Sequence, residues 1–304
     1  MLIDTHAHLN FNIYKNDTDE VIRRSLDNNV WMINVGSNYE TSKKAVEIAQ
    51  KYEKGVYATI GLHPIHLPSP LFRKEGAKVE MKANFQEGKL HRLETGLVKI
   101  KNDTEEVEVK TREEEFDYEK YKELAKSERV MAIGEFGLDY YWRPKTTKKK
   151  ELFKQKQKDL LLKQLELAKE LNLPAIFHCR MAHDDLIKIL NTRYKIQDKK
   201  PRGVVHCFTG TWEQAKDYMN MGFYLGFNGI IFKLNLDEII KKTPLGSILI
   251  ETDCPYLTPN PMAGRNEPLY VEYVAEKIAE IKKLSFEEIA AITTKNAQEL
   301  FKII

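Results

Sequence analysis

Eight short apolar runs of β-strand character, each followed by a longer amphipathic or charged stretch of helical character, constrain this chain more than any other feature of its sequence. They are Met1 to Ala7, Trp31 to Val35, Val56 to Gly61, Val130 to Gly134, Ala175 to Cys179, Gly203 to Cys207, Phe223 to Phe227 and Ile248 to Thr252. Several are apolar on both faces, the pattern of a parallel strand buried between two layers. Eight alternating units in 304 residues predict an α/β fold, the (β/α)8 TIM barrel, whose frame takes roughly 250 residues. A doubly wound open sheet is the alternative, but no Gly-rich phosphate loop follows any of the runs. We read 1–304 as a single domain.

Between the runs, Leu160, Leu161, Leu165, Leu167, Ala168 and Leu171 form an apolar stripe that Asn172-Leu173-Pro174 ends. Tyr270 to Phe301 is helical in pattern, with Ser285 as the N-cap of its second half. One connection breaks the rhythm. Between Pro64 and the fourth run lie about twice the residues that a loop and helix need, an insertion spanning about 72–114. Within it, Gly96 to Lys101 and Val107 to Lys110 alternate apolar with polar around Asn102 to Glu105, which predicts a β-hairpin, with disorder as the alternative. Helical character resumes over Arg112 to Ser127.

Charge narrows the function less. The 48 Lys and Arg against 45 Asp and Glu leave +3, so any polyanion site must be local. No stretch reaches the length of a membrane span, and no signal core follows Met1, which leads to the expectation of a soluble, intracellular protein, cytoplasmic or nuclear, with no membrane partner. Cys179, Cys207 and Cys254 are odd in number and far apart, as in a reducing compartment. We expect a monomer.

The chemistry gathers at strand ends. In Asp4-Thr5-His6-Ala7-His8 a period of two puts His6 and His8 on one strand face, within reach of one cation. A His-x-His pair alone also suits two core histidines with hydrogen-bond partners. Glu135, His178, His206 and Asp253, however, stand at the equivalent ends of later runs, where barrel side chains converge on one site. Imidazoles and carboxylates suit zinc, manganese, iron or, with more oxygen ligands, magnesium. Six ligands exceed what one tetrahedral ion takes, so two divalent cations bridged by Glu135 are expected, Mg2+ or Mn2+ for activity with Zn2+ as an option. Each cysteine follows a proposed ligand directly, and alternation turns it away toward the helices.

These residues sit in segments that resemble the TatD family of metal-dependent deoxyribonucleases, within the amidohydrolase-like barrels. They are Asp4 to Leu9, Gly61 to Pro64, Gly134 to Tyr140, Phe177 to Arg180, His206 to Gly210 and Glu251 to Tyr256, which occur in family order across all of the chain but the insertion. The resemblance implies a TIM-barrel nuclease, often an exonuclease, that degrades DNA by a metal-activated water. It makes His6, His8, Glu135 and Asp253 ligands of one cation and Glu135, His178 and His206 ligands of the other, with Asp253 also taking a proton from the attacking water. DNA, single-stranded or frayed, is the expected partner, with RNA as a further substrate.

Substrate contacts are less sharply marked. His63 after the third run is a candidate donor to a phosphate oxygen, or else a strand-end histidine paired with backbone. Arg180 and Arg265 are candidate phosphate clamps, with surface salt bridges as the alternative. Asp139 is placed to hydrogen-bond a ligand histidine. Tyr140, Tyr141 and Trp142 offer stacking surfaces for unpaired bases, or core packing. Arg143 to Lys158 carries eight Lys or Arg against Glu151, a track for a nucleic-acid backbone or a solvated helix face. The main rival function is an ester or amide hydrolase on the same ligands, such as a D-aminoacyl-tRNA deacylase. Two arginines aimed at the metals would favour the phosphodiester. A catalytically silent nucleic-acid-binding barrel is the reading from a different class.

Overall fold

The computed structural model describes residues 1–304 apart from 68–79, 84–91, 94–96, 103–104, 111–112, 142–143, 145 and 195–201. Eight strands make one parallel sheet: β1 (Leu2–Ala7), β2 (Val30–Val35), β3 (Val56–Ile60), β8 (Val130–Asp139), β9 (Ala175–Arg180), β10 (Gly203–Val205), β11 (Tyr224–Phe227) and β12 (Ile248–Ile250), in that spatial order. The barrel closes where Ala7 bridges Cys254, with Asp253 N donating to His6 O at 2.8 Å and His8 N to Cys254 O at 2.9 Å. Buried Asp4 stitches the same seam, accepting from Thr252 N at 2.9 Å and Thr252 Oγ1 at 2.6 Å. The expected TIM barrel is therefore the fold, and the open sheet is excluded.

Helices α1 (Thr18–Asp27), α2 (Tyr39–Ala49), α3 (Tyr118–Leu124), α4 (Thr147–Glu170), α5 (His183–Tyr194), α6 (Trp212–Asn220), α7 (Asp237–Lys242), α8 (Val271–Lys282) and α9 (Phe286–Phe301) alternate with the strands. The stripe of α4 is buried as the periodicity requires, and each fully covered side chain such as Leu161 contributes about 2 kcal/mol. Two glutamines one helical face apart on α4 tie it to the barrel rim. Gln157 accepts from Asp139 N at 2.8 Å and donates to Asp139 O at 2.9 Å, and Gln164 does the same with Leu62 at 2.8 and 2.9 Å. Backbone groups at the ends of β8 and β3 are thereby satisfied beside the site. Ser285 caps α9 through a reciprocal bond with Glu288.

The barrel interior is a separate apolar cluster, in which Ile3, Ile33, Val35, Tyr57, Ala132, Ile176, Val204 and Leu249 meet Ala297, Leu300 and Phe301 of α9. Alternation from this plug explains the site above it. Ile176 and His178, Val204 and His206, and Leu249 with Glu251 share a strand face, so the polar partner of each pair also points inward, nearer the strand's C-terminal end. Cys179 and Cys254 belong instead to the outer core with the helices, where burial pushes their thiols up to about 12. The sequence ended the fourth run at Gly134. The strand continues to Asp139 through an irregularity between Ile133 and Phe136, so Glu135 lies within β8 rather than after it.

Inside the insertion, β6 (Leu97–Asn102) pairs antiparallel with β7 (Glu105–Lys110), which are the two arms expected of a hairpin. Two further strands not anticipated from the pattern, β4 (Glu80–Ala83) and β5 (Arg92–Leu93), complete a four-stranded sheet in the order β5-β4-β6-β7. Among the described residues no helix is long and apolar enough to cross a membrane.

Candidate metal centre

The inward histidines and carboxylates meet at one end of the barrel. His6 Nε2 stands 3.1 Å from His8 Nε2, 3.5 Å from Glu135 Oε2 and 3.7 Å from Asp253 Oδ1. His8 Nε2 lies 3.9 Å from Glu135 Oε2 and 3.4 Å from Asp253 Oδ1. Donors about 2.1 Å from a common cation in tetrahedral arrangement are separated by roughly 3.4 Å, so this group fits a divalent ion. The other oxygen of Glu135 faces a second group: Oε1 is 2.8 Å from His178 Nδ1 and 2.9 Å from His206 Nε2, which are 3.4 Å from each other. The six side chains read from the sequence are thus brought together, with one Glu135 oxygen toward each half.

Ring orientations follow from what lies behind them. His8 Nδ1 donates to Val35 O at 2.9 Å, which frees Nε2 as the ligand atom. Behind His178, Asp139 Oδ2 is 3.4 Å from Nε2. His6 stacks on His206 with centroids 3.9 Å apart. Burial pushes the Glu135 carboxyl up, but the charges of His206 and His63 and the bonds from His178 and His206 outweigh it and hold the group well below its usual range. The same contest lowers Asp253, through the His8 bond and the charges of His206 and His6. Burial keeps His6 neutral. Burial also opposes charge on His178 and His206, yet the carboxylates around them raise both.

The substrate candidates separate. His63 is at the site: its Nδ1 accepts from Ile65 N at 3.0 Å, so Nε2 carries the hydrogen and faces Glu135 Oε1 at 3.5 Å. Arg180 grips Asp139, with Nη2 to Oδ2 at 2.6 Å and Nε to both oxygens, and lies over the Tyr141 ring. It therefore acts behind His178 in this structure. Arg265 is committed to Asp17, the carbonyl of Ile13 and Glu267, and sits over Tyr14. Neither arginine meets the criterion set for a phosphate clamp. Tyr140 is 5% exposed and gives its hydroxyl to Asp185 at 2.7 Å, so core packing overrides the stacking role expected of it. Trp142, Arg143 and Lys145 lie outside the described residues.

Arg265→Ala should accordingly lower stability by about 1–2 kcal/mol, because a part-buried bidentate pair and a ring contact go together. Denaturant melts read this directly, and an unchanged midpoint with a raised KM would return Arg265 to the substrate. Sequence reasoning passed over Phe11, whose ring stacks on His8 with centroids 4.4 Å apart, and Tyr256, edge-on to Phe11 at 6.4 Å. It also passed over Glu251, although its place two residues before Asp253 puts it on the same strand face.

Comparison with known proteins identifies the family. The family model for TatD related DNase matches residues 3–302. The chain is 40% identical to the uncharacterized metal-dependent hydrolase YabD of Bacillus subtilis, with 100% of each chain covered. It is 29% identical to the 3'-5' ssDNA/RNA exonuclease TatD of Shigella flexneri over 99% of each. The crystal structure of YjjV, a TatD homolog from Escherichia coli, superposes with a TM-score of 0.73 at 26% identity, covering 100% of this chain and 98% of that one.

Proposed function

This chain belongs to the TatD-related DNase family and is a metal-dependent hydrolase, and on that premise we propose that it is a deoxyribonuclease that removes nucleotides from single-stranded or frayed DNA ends. The observation that carries the reading is the division of Glu135 between two ligand groups. A pair of divalent cations held there would supply water activation and neutralise charge gathering on the oxygens of a phosphodiester. RNA is a second substrate of the same chemistry, in line with the Shigella relative, which is named for both ssDNA and RNA.

The chain's own residues divide the remaining work. Asp253 has 15% of its side chain exposed against 6% for Glu135, so it is the carboxylate open to substrate, and its lowered pKa leaves it ionised to accept a proton. His63, fixed with hydrogen on Nε2, is positioned to donate to an oxygen of the bound ester. Lys148 and Lys149 are exposed at the start of α4, which follows the strand that carries Glu135. In this reading their positive charge attracts a polyanion. Gln157 and Gln164 hold the rim in place.

The test is cleavage of end-labelled single-stranded DNA by chelator-stripped protein, with and without added magnesium or manganese, against Asp253→Asn. Metal-dependent shortening that the variant loses by about three orders of magnitude is expected. DNA left intact in every condition would shift the assignment to an ester or amide, the deacylase chemistry that the same ligands support.

A further inference from the structure

Beyond the six ligands, a buried carboxylate in the barrel faces a ligand histidine and has no role in the proposed reaction. Glu251 is 0% exposed. Its Oε1 accepts from Cys207 N at 2.7 Å and Asn228 Nδ2 at 3.1 Å and stands 3.3 Å from His206 Nδ1, a buried nitrogen that makes no hydrogen bond to the described residues. Its Oε2 has no hydrogen-bond partner among the described residues. A Cβ at position 226 would fall 2.5 Å from that oxygen and 3.2 Å from the His206 Cα, so Gly226 makes the room that the carboxylate occupies.

Asp139, the equivalent group behind His178, has its charge answered by Arg180. No lysine or arginine pairs with Glu251 among the described residues, and His206 is its cationic neighbour. An unanswered carboxylate buried in this way costs several kcal/mol unless something compensates it. A carboxylate behind a ligand imidazole fixes the tautomer and raises the basicity of the nitrogen on the far side of the ring. The far nitrogen here is Nε2, 2.9 Å from the shared Glu135 oxygen.

We propose that Glu251 is the positioning residue of His206: it holds Nδ1–H, aims Nε2 at the cation shared with Glu135 and His178, and supplies negative charge that this cation answers. Cys207 N and Asn228 anchor the carboxylate, and Gly226 leaves it space. The inference rests on the metal-centre part of the function proposed above and is independent of the substrate.

Equilibrium dialysis of chelator-stripped full-length protein against Mn2+, with Co2+ visible absorption as a second readout, tests it in wild type, Glu251→Ala, Glu251→Gln and Asn296→Ala. Glu251→Ala should weaken one cation about 10–100-fold and alter the cobalt spectrum. Glu251→Gln, which keeps an acceptor for Nδ1–H without the charge, should lose less, and Asn296→Ala, which removes the bonds to Leu245 O and Ile248 O at the start of β12 and leaves the Glu251–His206 pair untouched, should match wild type. If Glu251→Ala does not fold by circular dichroism, Glu251→Gln carries the comparison. Wild-type affinities in both Glu251 variants would overturn the proposal, as would an equal loss in Asn296→Ala, since that is what a purely structural role produces. Wild type that takes up no cation would overturn this inference and the metal centre together. Cation binding without DNA cleavage would overturn the nuclease assignment and leave the dialysis comparison intact.

Discussion

Glu135→Ala should reduce turnover by at least about three orders of magnitude, because several kcal/mol of charge stabilisation at the reacting ester depend on the one carboxylate that faces both ligand groups. Oε2 looks toward His6 and His8, and Oε1 toward His178, His206 and His63. Without it, Asp253 still faces His6 and His8, but no carboxylate stands between them and His178, His206 and His63, and the two halves lose their common ligand. Cation stoichiometry should fall along with activity, while far-UV circular dichroism stays that of a folded barrel, since the apolar plug below does not include Glu135. Glu135→Gln should behave nearly as badly in activity, because the lost quantity is charge more than volume. Near-normal turnover with undiminished metal content in either variant would remove the bridging-carboxylate model.

The second large effect expected is on stability. Gly137 sits in β8 opposite His178 with φ of +155°, and a Cβ there would lie 2.0 Å from the His178 carbonyl oxygen. Alanine at this position meets two costs at once, a backbone conformation that L side chains rarely adopt and a backbone atom that cannot move without shifting β9. Gly137→Ala should therefore lose about 3 kcal/mol or more, seen as a melting temperature lower by roughly 5–10 °C. Because the clashing carbonyl belongs to a ligand residue, cation affinity should fall in the same variant. An unchanged melt with unchanged cation binding would mean that β8 and β9 are looser than their register indicates.

Both expectations draw on features of unequal visibility in the sequence. Strand number, order of ligands and the outward turn of the cysteines were legible, because alternation along a strand is a local property that neighbouring residues cannot hide. The extent of the fourth strand was not, since Gly134 and Glu135 lie in an irregular stretch where strict alternation fails. Two strands of the insertion also escaped notice, as Glu80–Ala83 and Arg92–Leu93 are too short to show a period. Glu251 was passed over, because its task depends on His206 and Asn228, which only the folded barrel brings beside it.

What the sequence alone determined is the alternating α/β frame and the identity of six side chains at strand ends, for spacing fixes the direction of a side chain relative to its own element. Tertiary structure alone decided which charges are already spent. Arg265 meets Asp17 across 248 residues of chain and Arg180 meets Asp139 across 41, so two cations that looked equally available for phosphate are engaged by carboxylates. Hydrogen bonds and ion pairs are settled over a few ångströms. Residues distant in the chain come that close only through closure of the barrel, and spacing along the chain carries no record of that distance.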